Sequence, residues 1–339
     1  MGYGHTVDAV VGQLTRLLHV RPTTTDTTDD FEKHYVDIPI EELFPRPFRM
    51  PTIKRARPLL SGARTTESLS WPSSHLTLSR AYRHRHERDY SANLMAHARW
   101  MHPRFGRRRS LLIYVHGWLE PGSWVEENTL MPRWYKDLGV DVAYVQLPFH
   151  GWRSPRGQLF PGEWFWTADL VRSIEAVRQA MCDLRTLMTY FRDFGYEEIG
   201  VTGLSLGGSI TMLSACLEPT PDYIVPLIAH LELREALEEA PILWRMKTDL
   251  ERFGVNADRR KNLFDRLAIT GITPKLAADR QLWIAGREDG YLKAELVERQ
   301  WERWGRPPIE WLVGGHMTFA LELEGILARM KTMPRAAKL

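Results

Sequence analysis

The chain has 339 residues, with 45 Lys and Arg against 42 Asp and Glu, a formal net charge of +3. So small a basic excess argues against a dedicated nucleic-acid binder, and 44% hydrophobic with 26% charged residues excludes a wholly disordered chain. Two cysteines, Cys182 and Cys216, are too few for a disulfide framework and point to a reducing, cytoplasmic setting. Thirteen tryptophans are the unusual count, and a Trp-rich chain often lines pockets for apolar ligands. No stretch approaches the roughly 18 apolar residues of a membrane span. The N-terminus has no basic start followed by an apolar run, so no secretory signal is expected. Gly2 followed by Thr6 fits a myristoylation pattern, one loose enough to arise by chance.

In chain order, Val7, Val10, Val11, Leu14, Leu17 and Leu18 recur at helical spacing, and Pro22 ends that helix. Its polar face is poor in Lys and Arg. The helix is therefore expected to dock on the main body, or on a second copy in a homo-oligomer, rather than on a membrane. Thr23–Asp30 reads as a loop, Pro45–Pro51 as an extended connection and Trp71–Tyr82 as a strand; the stretch on to Trp100 is ambiguous. His84 and His86 form a His-x-His pair. Without a second ligand cluster, that stretch reads as solvated charge and no metal is expected.

From Ser110 the rhythm becomes regular. Apolar runs at Leu111–Val115, Val140–Leu147, Ile199–Thr202, Ile224–His230, Leu282–Ala285 and Ile309–Val313 read as strands. Helical segments lie between most of them, including Val125–Leu138 and the long Ala168–Phe194. This alternation predicts an α/β fold with a mostly parallel sheet and helices on both faces. Residues 1–104 form an N-terminal extension, 105–231 and 277–339 the two halves of the core, and 232–276 a helical insertion that could cap the site.

The chemistry concentrates in Gly203-x-Ser205-x-Gly207, where an apolar strand stops and a helix begins. A nucleophile on so tight a turn needs small neighbours at Gly203 and Gly207, and the helix N-terminus lies beside the reacting oxygen. A serine hydroxyl is a poor nucleophile at neutral pH without a base and an orienting acid, expected in the chain order Ser, acid, His. Asp289 follows the late strand and is the expected acid, with Glu288 as its neighbouring alternative. His316 follows the next strand and is the expected base, with His230 in reserve. The oxyanion donors are expected to be the amides of Leu206 and Trp118, with Leu119 next in line and Gly117 allowing the backbone to turn inward. The His116 side chain reads as a structural hydrogen-bonder. Trp124, Trp152, Trp164 and Trp166 are candidate walls of an acyl or aromatic pocket, although packing loops onto the body would use them equally well.

These motifs, together with Leu147–Pro155, resemble the α/β-hydrolase superfamily over about residues 105–332. Gly195-Tyr196, the elbow, Gly286–Tyr291 and Gly315-His316 are similar to the narrower alpha/beta hydrolase domain-containing protein 18-like branch, although the His-Gly-Trp loop is more conventional than that branch's counterpart. The resemblance implies lipid or ester deacylation of a small-molecule substrate without a cofactor. The same triad would equally serve a thioesterase, an amidase or peptidase, or an acyltransferase. A non-catalytic binding or assembly protein on this scaffold is the alternative of another class.

Overall fold

A computed structural model describes residues 2–18, 21–58 and 63–333. Its sheet runs β1 (Lys54–Ala56), β2 (Arg64–Pro72), β3 (Met95–Pro103), β5 (Asp141–Val145), β4 (Ser110–Val115), β6 (Glu198–Leu204), β7 (Tyr223–Leu227), β8 (Trp283–Gly286) and β9 (Ile309–Leu312). The first three strands are antiparallel to their neighbours, and the remaining six are parallel to one another. All six residues of β4 are buried, as expected for an apolar run covered on both faces. The register then builds the site. Val115 at the end of β4 pairs with Gly203, Leu204 with Leu227, and Gly286 with Leu312. The loops that follow β4, β6, β8 and β9 therefore emerge along one carboxyl edge of the sheet, where open α/β sheets place their ligands.

The first hundred residues are woven into the body more closely than the word extension implies. β2 and β3 extend the sheet, and residues 35–44 and 73–78 cover the helix Leu170–Asp193. That helix has the expected apolar face, but its polar face is buried too, under Tyr35, Leu43 and His75. Two expected boundaries shift for local reasons. Thr28 begins a helix, Thr28–Tyr35, because the Asp26 carboxylate accepts from the Thr28 N–H and Asp29 and Asp30 favour its first turn. The strand expected at Trp71–Tyr82 lies earlier: β2 stops at Pro72, and Ser79 caps a helix, Arg80–Asp89, by accepting from Tyr82. In that helix His86 is buried against Tyr82 rather than solvated, and burial lowers its pKa to about 4. Among the described residues no group of three His, Cys, Asp or Glu is placed to hold a metal. None of the described helices is long and apolar enough to cross a membrane. Cys182 and Cys216 are free and buried, and burial pushes both thiols up to about 12.

The N-terminal helix α1 (Tyr3–Leu18) exists where the spacing places it, but with its faces reversed. The buried stripe is Gly4, Asp8, Gly12 and Thr15, whereas Val10 and Leu14 are more than half exposed. The side chains of Leu17 and Leu18 lie outside the described residues. The reversal follows from what α1 covers. Its partners are loop backbones with N–H groups to satisfy, and a carboxylate meets that need where a methyl stripe does not. Residues 232–276 carry the helices Leu233–Glu239, Trp244–Arg252 and Ala257–Asp265, followed by turns and loop.

Candidate active site

Ser205 sits between β6 and the helix Leu206–Ser214 with φ 53° and ψ −113°, a conformation that costs a non-glycine residue strain. Space, not backbone freedom, dictates its small neighbours. A Cβ on Gly203 would meet the Gly207 carbonyl at 2.3 Å, and one on Gly207 would meet the Val115 carbonyl at 2.0 Å. The helix thus starts against the end of β4, and its first amides face the serine.

The structure brings three of the expected residues into one hydrogen-bonded chain. Ser205 Oγ lies 2.9 Å from His316 Nε2, and His316 Nδ1 lies 2.8 Å from Asp289 Oδ2. The other Asp289 oxygen accepts from the Tyr291 and Leu292 amides at 2.8 and 2.7 Å, which fixes the carboxylate plane. Burial disfavours the His316 imidazolium, but the charge and hydrogen bond of Asp289, with help from Asp8, outweigh it and hold the pKa above the ordinary histidine value. Glu288 takes a different partner, accepting the Gly4 N–H at 2.7 Å near the start of α1. His230 also lines the cavity, but burial holds its pKa down at about 4 and its Nδ1 accepts from the Glu232 amide. Its Nε2 therefore carries the hydrogen, and among the described residues that atom has no partner.

On the loop after β4, His116 is buried and its Nε2 accepts the Leu147 N–H at 2.9 Å. The proton therefore sits on Nδ1 and is donated to the Gly117 carbonyl at 2.7 Å. In a trans peptide the N–H opposes the C=O, so the Trp118 amide points away from His116. Gly117 is not the residue that turns the chain. A Cβ there would find ordinary contacts, and the left-handed conformation belongs to Leu119 at φ 71°.

A cavity of about 320 Å³ opens over Ser205, walled by Trp118, Trp166, Leu237, Leu243, Met246 and Phe319 among others. A smaller apolar recess of about 40 Å³ lies beside it, sharing Trp166, Leu206, Met246 and Phe264 as walls. Of the four tryptophans expected around the pocket, only Trp166 lines this cavity. Trp164 lines a neighbouring polar one of about 290 Å³. Trp124 is 77% exposed because it begins a short surface helix, and Trp152 is 53% exposed because its ring turns outward to His97, 5.6 Å away. Sequence reasoning missed Glu120, two residues beyond Trp118. Burial and the neighbouring Glu126 raise its pKa. It also missed Asp8, some 280 residues from the loops it touches, for which the chain carries no local signal.

Residues 93–236 match the model of the family described as alpha/beta hydrolase domain containing 18. Two curated proteins of Mycobacterium tuberculosis, each titled uncharacterized (MT2702 of strain CDC 1551 / Oshkosh and Rv2627c of strain ATCC 25618 / H37Rv), are 31% identical over 274 residues. The match covers 72% of this chain, and the chain spans 60% of the length of those relatives. Acetyl xylan esterase from Paenibacillus sp. R4 superposes with a TM-score of 0.62 at 13% identity, covering 95% of this chain and 99% of that one. Acetyl xylan esterase 1 from Thermoanaerobacterium sp. JW/SL YS485 gives 0.58 at 16%, covering 93% and 98%. At such identities the likeness is one of fold. The chain has the α/β-hydrolase fold, and over residues 93–236 it is similar to the family described as alpha/beta hydrolase domain containing 18.

Proposed function

We propose that the protein is a serine hydrolase of carboxylic esters with an apolar acyl or aromatic part. The observation that carries this reading is the Ser205–His316–Asp289 chain at the floor of a mostly apolar cavity. His316 Nε2 takes the Ser205 proton as Oγ forms a bond to the ester carbonyl carbon. Asp289 keeps the other imidazole proton on Nδ1 and stabilises the imidazolium. The amides of Leu206 and Trp118 receive the developing oxyanion. Collapse breaks the bond to the leaving alkoxide, which takes the proton from His316 and departs as the alcohol. Water then repeats the sequence on the acyl-enzyme, releasing the acid and restoring the Ser205 hydroxyl.

The test is a panel of acyl esters, thioesters and anilides of rising chain length, assayed with the wild type and Ser205→Ala. Ester turnover that falls by several orders of magnitude in the variant supports the reading. Equal rates from both proteins remove the nucleophile, and preference for thioesters or anilides moves the chemistry to the sister classes.

A further inference from the structure

We infer that Asp8, on the N-terminal helix, is a positioning residue of the active site, holding the acid loop and the histidine loop together from outside the hydrolase core. This rests on the serine-hydrolase reading above. Asp8 Oδ2 accepts the Gly290 N–H at 2.8 Å and the His316 N–H at 2.7 Å, and Oδ1 accepts the Met317 N–H at 2.8 Å. Gly290 directly follows Asp289, and His316 is the base itself. One carboxylate therefore bridges the backbones that carry two members of the triad. The carboxylate is fully buried and accepts from these three amides.

The surfaces around Asp8 are built for this approach. A Cβ on Gly315 would meet Asp8 Oδ2 at 2.5 Å, and one on Gly4 would meet the Gly315 amide nitrogen at 2.3 Å. Gly290 faces the Asp8 Cβ, and Gly12 packs against Tyr291 and Pro241. Small residues on both sides let α1 reach loop backbones that a larger stripe would hold away. The Glu288 carboxylate on the Gly4 N–H adds a fourth tie between α1 and the acid loop. α1 also walls the cavity through Val11 and Thr15, so the helix that closes the substrate space is the helix that sets the triad.

Without Asp8, three inward-facing amides lose their acceptor, and the bonds that still tie the two loops, among them His316–Asp289 and Glu288 N–H to the Gly314 carbonyl, do not hold the Gly290, His316 and Met317 amides. Catalysis is sensitive to the separation of the two loops, since a displacement of about 1 Å costs roughly 10²-fold in rate. Asp8 also acts on His316 through charge. The titratable groups facing the imidazole are Asp289, Asp8, Ser205, the Tyr291 ring at 5.0 Å and His230. Of these, Asp289 and Asp8 are anions that favour the imidazolium.

The experiment compares full-length wild type, Asp8→Asn, Asp8→Glu, Tyr3→Ala and Ser205→Ala on the best ester of the panel, with kcat, KM and the pH profile of kcat/KM. Asp8→Asn is expected to lower kcat about 10²-fold, to change KM by less than about threefold, and to move the acid limb to lower pH because an anion beside His316 is gone. Asp8→Glu keeps the charge but not the reach, so its kcat falls while its acid limb stays near the wild-type position. Tyr3, exposed on the outer face of α1, is the control, and Tyr3→Ala is expected to match the wild type. If Asp8→Asn does not fold, Asp8→Glu is read alone, and wild-type kcat from folded Asp8→Glu overturns the inference. So does Asp8→Asn with lowered Tm but unchanged kcat and acid limb, the pattern of a merely structural contact. Wild-type activity in Ser205→Ala would instead sink the hydrolase reading, which separates the two failures.

Discussion

Two of the buried histidine–carboxylate pairs among the described residues invite comparison. Beside the helix Leu170–Asp193, His75 Nε2 lies 2.7 Å from Glu175, which also receives Tyr35 and Arg178; at the sheet's carboxyl edge, His316 lies 2.8 Å from Asp289. Burial would raise the Glu175 pKa, but Arg178 and His75 outweigh it and hold the carboxylate down at about 2. The difference lies in what the second imidazole nitrogen meets and whether space adjoins it. His316 presents Nε2 to a strained serine below a cavity, whereas the His75 pair is closed in by protein, with both side chains almost wholly inaccessible. A histidine and a carboxylate make a strut. A strut becomes a candidate for chemistry when a nucleophile and room for a substrate complete it.

The comparison breaks most decisively at the two carboxylates. Asp289→Asn is expected to lower ester kcat by about 10⁴-fold, because the imidazole loses its tautomer and the support of its cation. Glu175→Gln should leave kcat per folded molecule unchanged; equal activity losses in the two variants would erase the distinction. Stability should show the reverse order. Glu175→Ala leaves Arg178 buried without its carboxylate partner and is expected to cost about 3–5 kcal/mol in urea unfolding. Because the folded Glu175 pKa lies below its usual 4.5, its contribution is present above that value and lost as pH falls toward 2. An acid-unfolding curve unchanged by Glu175→Gln would contradict that assignment.

The pH profile sharpens the other side. His316 accepts a proton only when neutral, and its raised pKa means that kcat/KM should fall on the acid side with an inflection above the ordinary value of about 6.5. An inflection below that value would mean that burial, not Asp289 and Asp8, governs the imidazole. The smallest effect concerns the tryptophans. Trp166→Ala should raise KM for long acyl esters by roughly tenfold while sparing short ones, an effect of about 1.4 kcal/mol. Trp152→Ala, on the outside, should leave both alone; the opposite ranking would relocate the pocket.

Much of the core was legible because its signals are local. β4 is a continuous apolar run, and the Gly-x-Ser-x-Gly turn records in five residues that a helix must begin against a neighbouring strand. Chain order alone brought Asp289 and His316 into consideration, since the parallel register carries both loops to one edge. What stayed hidden depends on contacts without a sequence period. The inward stripe of α1 is Gly, Asp, Gly, Thr, chosen by loop amides almost three hundred residues away, while Val10 and Leu14, which the spacing rule reads as part of the buried face, point outward. The polar side of the helix Leu170–Asp193 reads as solvated until residues 35–44 and 73–78 are laid over it. Loop tryptophans carry no periodicity at all, so which of them turn inward is settled by packing.

The central claim is that the Ser205 hydroxyl is made reactive by His316, and one measurement reaches it directly. The intact folded protein is treated with a fluorophosphonate, the adduct is mapped by peptide mass, and the labelling rate is compared with that of His316→Ala. One adduct per chain is expected, on the peptide carrying Ser205, with labelling at least about 100-fold slower in the variant. An unlabelled Ser205 in folded protein, or a rate indifferent to the loss of the imidazole, would contradict it.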